Sequence, residues 1–174
     1  ENNLYVVDCK NNRIQLFSST GEFIRTWGKE GNDNREFDTP WGITIDYKGD
    51  VYVADWGNNR VQKFSADGTY LLSYGTSGDP AAALNHPAHV AVDSDGDVYI
   101  TDWGNHRVQI YEPDGEIIAS LRGDATDYSK AGLYLLNRDP ESIKTIRQNL
   151  EPMQYLATFG RPTGISINKN NQII

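Results

Sequence analysis

Along most of this chain apolar and polar residues alternate in short runs, and the runs break at clusters of Gly, Asn, Asp and Pro. Between residues 41 and 74 there are four such runs, at 41–46, 51–55, 60–64 and 69–74. Alternation with period two predicts strands buried on one face. The breaks between them have turn chemistry. Residues 47–50 close a tight turn, and Ala66-Asp67-Gly68 places a glycine where a hairpin needs positive φ. Residues 56–59 form a loop between the second and third strands. The unit is therefore four antiparallel strands joined in sequence order.

The unit recurs. Asp55-Trp56-Gly57-Asn58-Asn59-Arg60-Val61-Gln62 is matched by Asp102-Trp103-Gly104-Asn105-His106-Arg107-Val108-Gln109 and by Asp8-Cys9-Lys10-Asn11-Asn12-Arg13-Ile14-Gln15, at a spacing of 47 residues. Other landmarks keep the same beat. Pro40, Pro87 and Pro162 each open a first strand, where a missing N–H does least harm. Phe37, Leu84 and Phe159 each stand three residues before that proline. Four strands in a unit of a few tens of residues is the pattern of a β-propeller blade, which buries its apolar faces against its neighbours.

The motif Pro-x-Gly-Ile-x-Ile-Asp, then Gly-Asp-Val-Tyr-Val-x-Asp, then Asn-x-Arg-Val-Gln and Asp-Gly, seen over residues 40–68 and echoed at 87–115, resembles the NHL-repeat family. The resemblance covers about residues 1–123 and 159–174. It implies an all-β propeller, usually six-bladed in that family, with four antiparallel strands per blade. The family includes interaction scaffolds, RNA binders, receptor sensor domains and a peptide-amidating lyase, so the likeness fixes the fold more firmly than the function. As to compartment, the resemblance alone leans to an extracytoplasmic protein, and the residues leave it open.

These landmarks divide the chain as a single partial propeller. Residues 1–39 are an incomplete first blade with its linker, 40–86 a second blade and 87–123 a third. Residues 159–174 start the next. The chain opens in mid-repeat at Glu1 and stops at Ile174 as another strand begins, so a fragment or processed chain is expected. About three blades are present, and a homodimer completing the ring is one expected arrangement. The interval from Pro87 to Pro162 is 75 residues, 28 longer than the interval before it. The added stretch, 124–158, changes period. Asp139-Pro140-Glu141 reads as a helix start, with Ile143, Ile146 and Leu150 at helical spacing, which predicts a helical insertion.

Charge narrows the partners. The formal net charge is −8, with 24 acidic and 16 basic residues and no Lys/Arg stripe in the repeats. A nucleic-acid footprint is therefore not expected. No apolar run approaches the roughly 18 residues that span a bilayer, so membrane insertion is not expected either. The one cysteine, Cys9, fills the slot of Trp56 and Trp103 and is read as a repeat variant.

Strand parity places the candidate chemistry. The loops at 56–59 and 103–106, the linkers at 28–39 and 75–86, and the insertion share one face. The other face carries tight turns. Function tends to live on long loops over a rigid scaffold, so the loop face is the expected binding face. Its candidate residues are Trp41, Trp56, Asn58, His89, Trp103 and Asn105. The Trp residues either pack against the neighbouring blade or form an aromatic platform. Asn11, Asn58 and Asn105 are expected in left-handed turn positions. The pairs Asp8/Arg13, Asp55/Arg60 and Asp102/Arg107 recur in every unit and are read as structural ion pairs that close the loop. No catalytic residue is assigned.

Two functional classes stay open. One is a non-enzymatic binding or scaffold propeller that meets a protein, peptide or glycan on the loop face. The other is a metal-dependent lyase or hydrolase with His89 at the channel mouth. The resemblance implies zinc-ligand histidines directly after the strand-opening prolines, and here those positions hold Trp41, Ala88 and Thr163. His89 is one residue further on and is the weak metal candidate. Asp93-Ser94-Asp95-Gly96-Asp97 imitates the start of a calcium loop, but Gly104 stands where an EF-hand needs its final Glu. Neither zinc nor calcium is assigned, and the binding class is preferred.

Overall fold

A computed structural model describes residues 3–76, 78–122 and 159–174. Among them eleven strands form three antiparallel sheets. The first sheet orders β1 (Leu4–Asp8), β2 (Arg13–Phe17) and β3 (Phe23–Trp27). The second orders β4 (Pro40–Ile45), β5 (Val51–Asp55), β6 (Arg60–Phe64) and β7 (Tyr70–Tyr74). The third orders β8 (Pro87–Val92), β9 (Val98–Asp102), β10 (Arg107–Tyr111) and β11 (Ile117–Leu121). In each sheet the spatial order is the chain order, so every blade is an up-and-down meander. Residues 166–174 begin a further hairpin, with Ser166 and Ile174 exchanging backbone hydrogen bonds of 3.0 and 2.8 Å. The all-β, propeller-type class read from the alternation is the class observed. The helical insertion read at 124–158 lies outside the described residues.

Burial departs from the single-strand pattern. Every residue of β5 is buried, and so is every residue of β10. Val51 and Val53 point into a cluster with Ile14, Leu16, Trp27, Phe37 and Phe64. Tyr52 and Ala54 point the other way, into a cluster with Val61, Tyr74, Val90, Val98, Ile100 and Tyr111. The two sides of one strand thus serve two different blade interfaces, since successive side chains leave a strand on opposite faces. The expectation of half-buried strands is corrected for these middle strands. Stacking against a blade on each side leaves them no wet face.

The first strands β1, β4 and β8 lie side by side across successive blades. Their contact is close at Gly42, where an added Cβ would stand 2.5 Å from the Ala88 carbonyl oxygen and 2.7 Å from the His89 Cα. A glycine is needed there because the obstacle is the backbone of the next blade. The outer side of the first blade is covered by nothing among the described residues, and it leaves Leu4 57% and Phe23 59% exposed.

Candidate ligand-binding face

The site grows from the end of each second strand. The β5–β6 register sets Asp55 opposite Arg60, and the β9–β10 register sets Asp102 opposite Arg107. Arg60 Nε donates to Asp55 Oδ2 at 2.8 Å, and Arg107 Nε to Asp102 Oδ2 at 2.6 Å, with both pairs buried. The rest of each guanidinium is aimed at the incoming linker. Arg60 donates to the carbonyls of Asn32, Asp33 and Glu36 at 2.8–2.9 Å. Arg107 donates to those of Ala81 and Ala83. The other Asp55 oxygen accepts the Asp38 amide at 2.8 Å, and the other Asp102 oxygen accepts the Asn85 amide at 2.7 Å. Burial pushes the Asp55 carboxyl up, against the opposing pull of Asn58, the Asp38 amide and Arg60. In the first repeat Arg13 also pairs with Asp8 at 2.8 Å, but its side chain is 40% exposed. There Asp8 is held below the usual carboxylate range by its bonds to Arg13 and Asn11.

Gln62 and Gln109, fully buried, complete this network. Gln62 accepts the Arg35 amide at 3.0 Å and donates to the Glu36 carbonyl at 2.7 Å. The recurring Arg-x-Gln spacing was their only sequence signal: two steps along a strand return to the same face. The glycine of each loop is fixed by the same linker. A Cβ on Gly57 would fall 2.4 Å from the Asp38 carboxylate, and one on Gly104 would fall 2.4 Å from the Asn85 amide group.

Asn58 and Asn105 are drawn inward. Asn58 donates to the Gly31 carbonyl at 2.8 Å and to Asp55 at 3.0 Å, and Asn105 donates to Asp102 at 2.8 Å. The left-handed positions belong to the next residue in each loop. Asn12, Asn59 and His106 have φ of 52°, 56° and 55°, which corrects the assignment to Asn11, Asn58 and Asn105. The freed side chains of Asn12 and Asn59 reach the next linker, accepting the amides of Thr39 and His86 at 2.8 Å. Thr39 and His86 are themselves held at a φ of 54°. In the third repeat His106 Nδ1 meets the Gly160 carbonyl instead.

At His86 that strained backbone accompanies an aromatic contact. The residues before Pro87 and Pro162 both lie over the preceding loop. The His86 ring lies against Trp56 with centroids 4.0 Å apart, and the Arg161 guanidinium lies 4.3 Å from the centre of the Trp103 ring. Trp41 stands 6.1 Å from Trp56, and Trp56 stands 6.3 Å from Trp103. The structure thus joins Trp41, Trp56, His86, Trp103 and Arg161 into one row across three blades. Trp56 and Trp103 are half-buried, while Trp41 is 58% exposed. The roles of His86 and Arg161 were hidden because the pre-proline position carries a different residue in each repeat.

His89 stands apart from the row. A bulge between Pro87 and His89 re-aims the start of β8, and the ring lies against Gly42. Its Nδ1 is buried without a hydrogen-bond partner among the described residues. Burial pushes its pKa down, with the Ile165 backbone pulling the other way. The Asp93 carboxylate is occupied by its own hairpin. It accepts the amides of Asp95, Gly96 and Asp97, and the Tyr99 hydroxyl at 3.0 Å. The turn at Asp46 is built alike, taking Lys48, Asp50 and Tyr52. Among the described residues no group of three or more His, Cys, Asp or Glu side chains is placed to hold a metal ion. No helix among them is long and apolar enough to cross a membrane.

Stacked four-stranded meanders, with linkers stitched to loops on one face, define a partial β-propeller. Residues 37–64 and 84–111 match the family model of the NHL repeat. No curated protein sequence matches the chain. Among solved structures it is similar to a streptogramin B lyase, at 22% identity and a TM-score of 0.53, covering 67% of this chain and 36% of that one. It is similar to virginiamycin B lyase from Staphylococcus aureus at 16% identity and a TM-score of 0.59, covering 98% and 44%. The dihydro-heme d1 dehydrogenase NirN is similar at 10% identity and a TM-score of 0.59, covering 97% and 28%. The chain spans less than half the length of each of these proteins. At these identities the likeness is one of fold.

Proposed function

We propose that this chain is a non-enzymatic binding propeller that meets a protein, peptide or glycan on its loop face, along the row from Trp41 to Trp103. The observation that carries this reading is Trp41. It is a large aromatic left 58% exposed at the end of a packed aromatic row. Exposed indoles over a rigid scaffold supply much contact area at low entropic cost. The test is binding to peptide and glycan arrays, with the wild-type chain beside Trp41→Ala. Loss of the wild-type hits with an unchanged melting temperature is the expected result. Hits that survive in Trp41→Ala would refute the row as the binding surface.

A second reading, a lyase or hydrolase, is favoured only by His89 Nδ1, buried with no hydrogen-bond partner among the described residues. The described residues do not supply the three protein ligands of a catalytic zinc site, so no metal-assisted step is derived. We further propose that the uncovered outer side of the first blade packs against a second copy of this chain, supported by the exposure of Leu4 and Phe23.

A further inference from the structure

Comparing the three repeats with one another defines the ligand more closely. Between the second and third blades, His86 lies on Trp56 and its Nδ1 meets Asn85 Oδ1 at 2.5 Å. Asn85 in turn rests on Gly104, beside Trp103. Beyond the third blade, Arg161 covers Trp103. In both intervals a flat nitrogenous group from the pre-proline position lies on the loop tryptophan. Between the first and second blades the frame is the same and its contents differ. Thr39 has the same φ of 54° as His86 and the same amide bond to an Asn side chain. Its side chain is too short to cover a ring. Asp38 rests on Gly57 as Asn85 rests on Gly104, which puts a carboxylate where the next interval has an amide. Cys9 stands in the tryptophan slot of that first loop, so no indole closes the interval from the other side.

We propose that this interval, bounded by Asp38, Thr39, Trp41 and Trp56, binds an arginine side chain of a partner protein. The proposal rests on the binding-face reading above and names the chemistry of its ligand. A guanidinium is planar and weakly hydrated, stacks on indole faces and pairs with carboxylates. His86 and Arg161 lie on the tryptophan of the preceding loop, a slot that holds Cys9 here, so the guanidinium would stack instead on the exposed Trp41, which stands 6.1 Å from Trp56. The acceptor is already present. The exposed Asp38 carboxylate accepts the Thr39 hydroxyl at 2.9 Å and makes no ion pair among the described residues. Glu36, its neighbour in the linker, is taken by Lys29 at 2.9 Å. The net charge of −8 favours a basic partner at longer range.

The test titrates a capped Gly-Gly-Arg-Gly-Gly peptide into the labelled chain and follows the four tryptophan indole N–H signals by NMR, beside the same peptide with neutral citrulline. The arginine peptide is expected to shift Trp41 and Trp56 and to leave the buried Trp27 in place. Citrulline, or Asp38→Asn, is expected to weaken the response about two- to fivefold, the range an exposed cation–π contact supports. An equal response to citrulline, or an undiminished one in Asp38→Asn, overturns the arginine site. So does the absence of any response to the arginine peptide. Array hits that depend on Trp41 would leave the broader binding face standing after any of these outcomes.

Discussion

Arg60 and Arg13 hold the same place in the repeat and the same charge, yet their surroundings differ. Arg60 is shut between its carboxylate and three linker carbonyls, whereas the Arg13 side chain is 40% exposed. Removing one partner of a buried pair leaves the other charge stranded in a medium that solvates it poorly. Arg60→Ala is therefore expected to cost about 3 kcal/mol or more. Arg13→Ala is expected to lose only a small part of that, since water replaces the lost contact. Equilibrium denaturation of the two variants side by side checks the contrast, and equal losses would contradict it. The same scale shows a limit of pattern. The recurrence of Asp and Arg pointed to a paired, structural role, but not to the linker carbonyls that each guanidinium also binds. Those carbonyls lie 24–28 residues away along the chain, in segments that differ from linker to linker.

At the scale of the element, the run read at 51–55 is the strand β5, and the run read at 60–64 is β6. Alternation and turn residues are local signals and they place strand ends well. What they could not give was burial on both sides. An alternating strand looks the same whether its second face meets water or a neighbouring blade, and alternation alone does not show that Gln62 is sealed. The Gly42 slot shows the same dependence on neighbours. Gly42→Ala sets a methyl 2.5 Å from a backbone oxygen of the next blade, which cannot swing aside. It is expected to cost about 1–3 kcal/mol through overpacking. Gly164→Ala, with nothing within 4 Å, is expected to leave stability within about 0.5 kcal/mol. Thermal unfolding of both variants measures the difference, and similar losses would contradict the close β4–β8 contact.

At the scale of the molecule, blade stacking among the described residues leaves one side of the first sheet uncovered. Leu4 lies directly opposite Phe17 in the ladder, and Phe17 packs edge-on against Phe23 with centroids 5.9 Å apart. An apolar sheet face of this kind is a surface for another sheet. The proposed pairing of two copies predicts a solution mass twice that of one chain. It also predicts that Leu4→Lys with Phe23→Lys shifts the mass to one chain without unfolding the blades. A wild-type chain that stays monomeric by light scattering at high concentration would refute the pairing.

By itself the sequence determined the repeat, the strand order within each blade and the glycine turns, because all three rest on interactions between residues close along the chain. It also showed which residues recur, and so which were structural candidates. Only the tertiary structure decided which surfaces meet. It drew Asn58 and Asn105 inward and set His86 against Trp56 and Arg161 over Trp103. It left Trp41 exposed, with a carboxylate resting on the glycine beside Trp56. Those outcomes depend on how one blade's linker crosses the next blade's loop. That crossing is fixed by backbone geometry at Thr39 and His86 and by contacts between segments far apart in the chain, which no local pattern encodes.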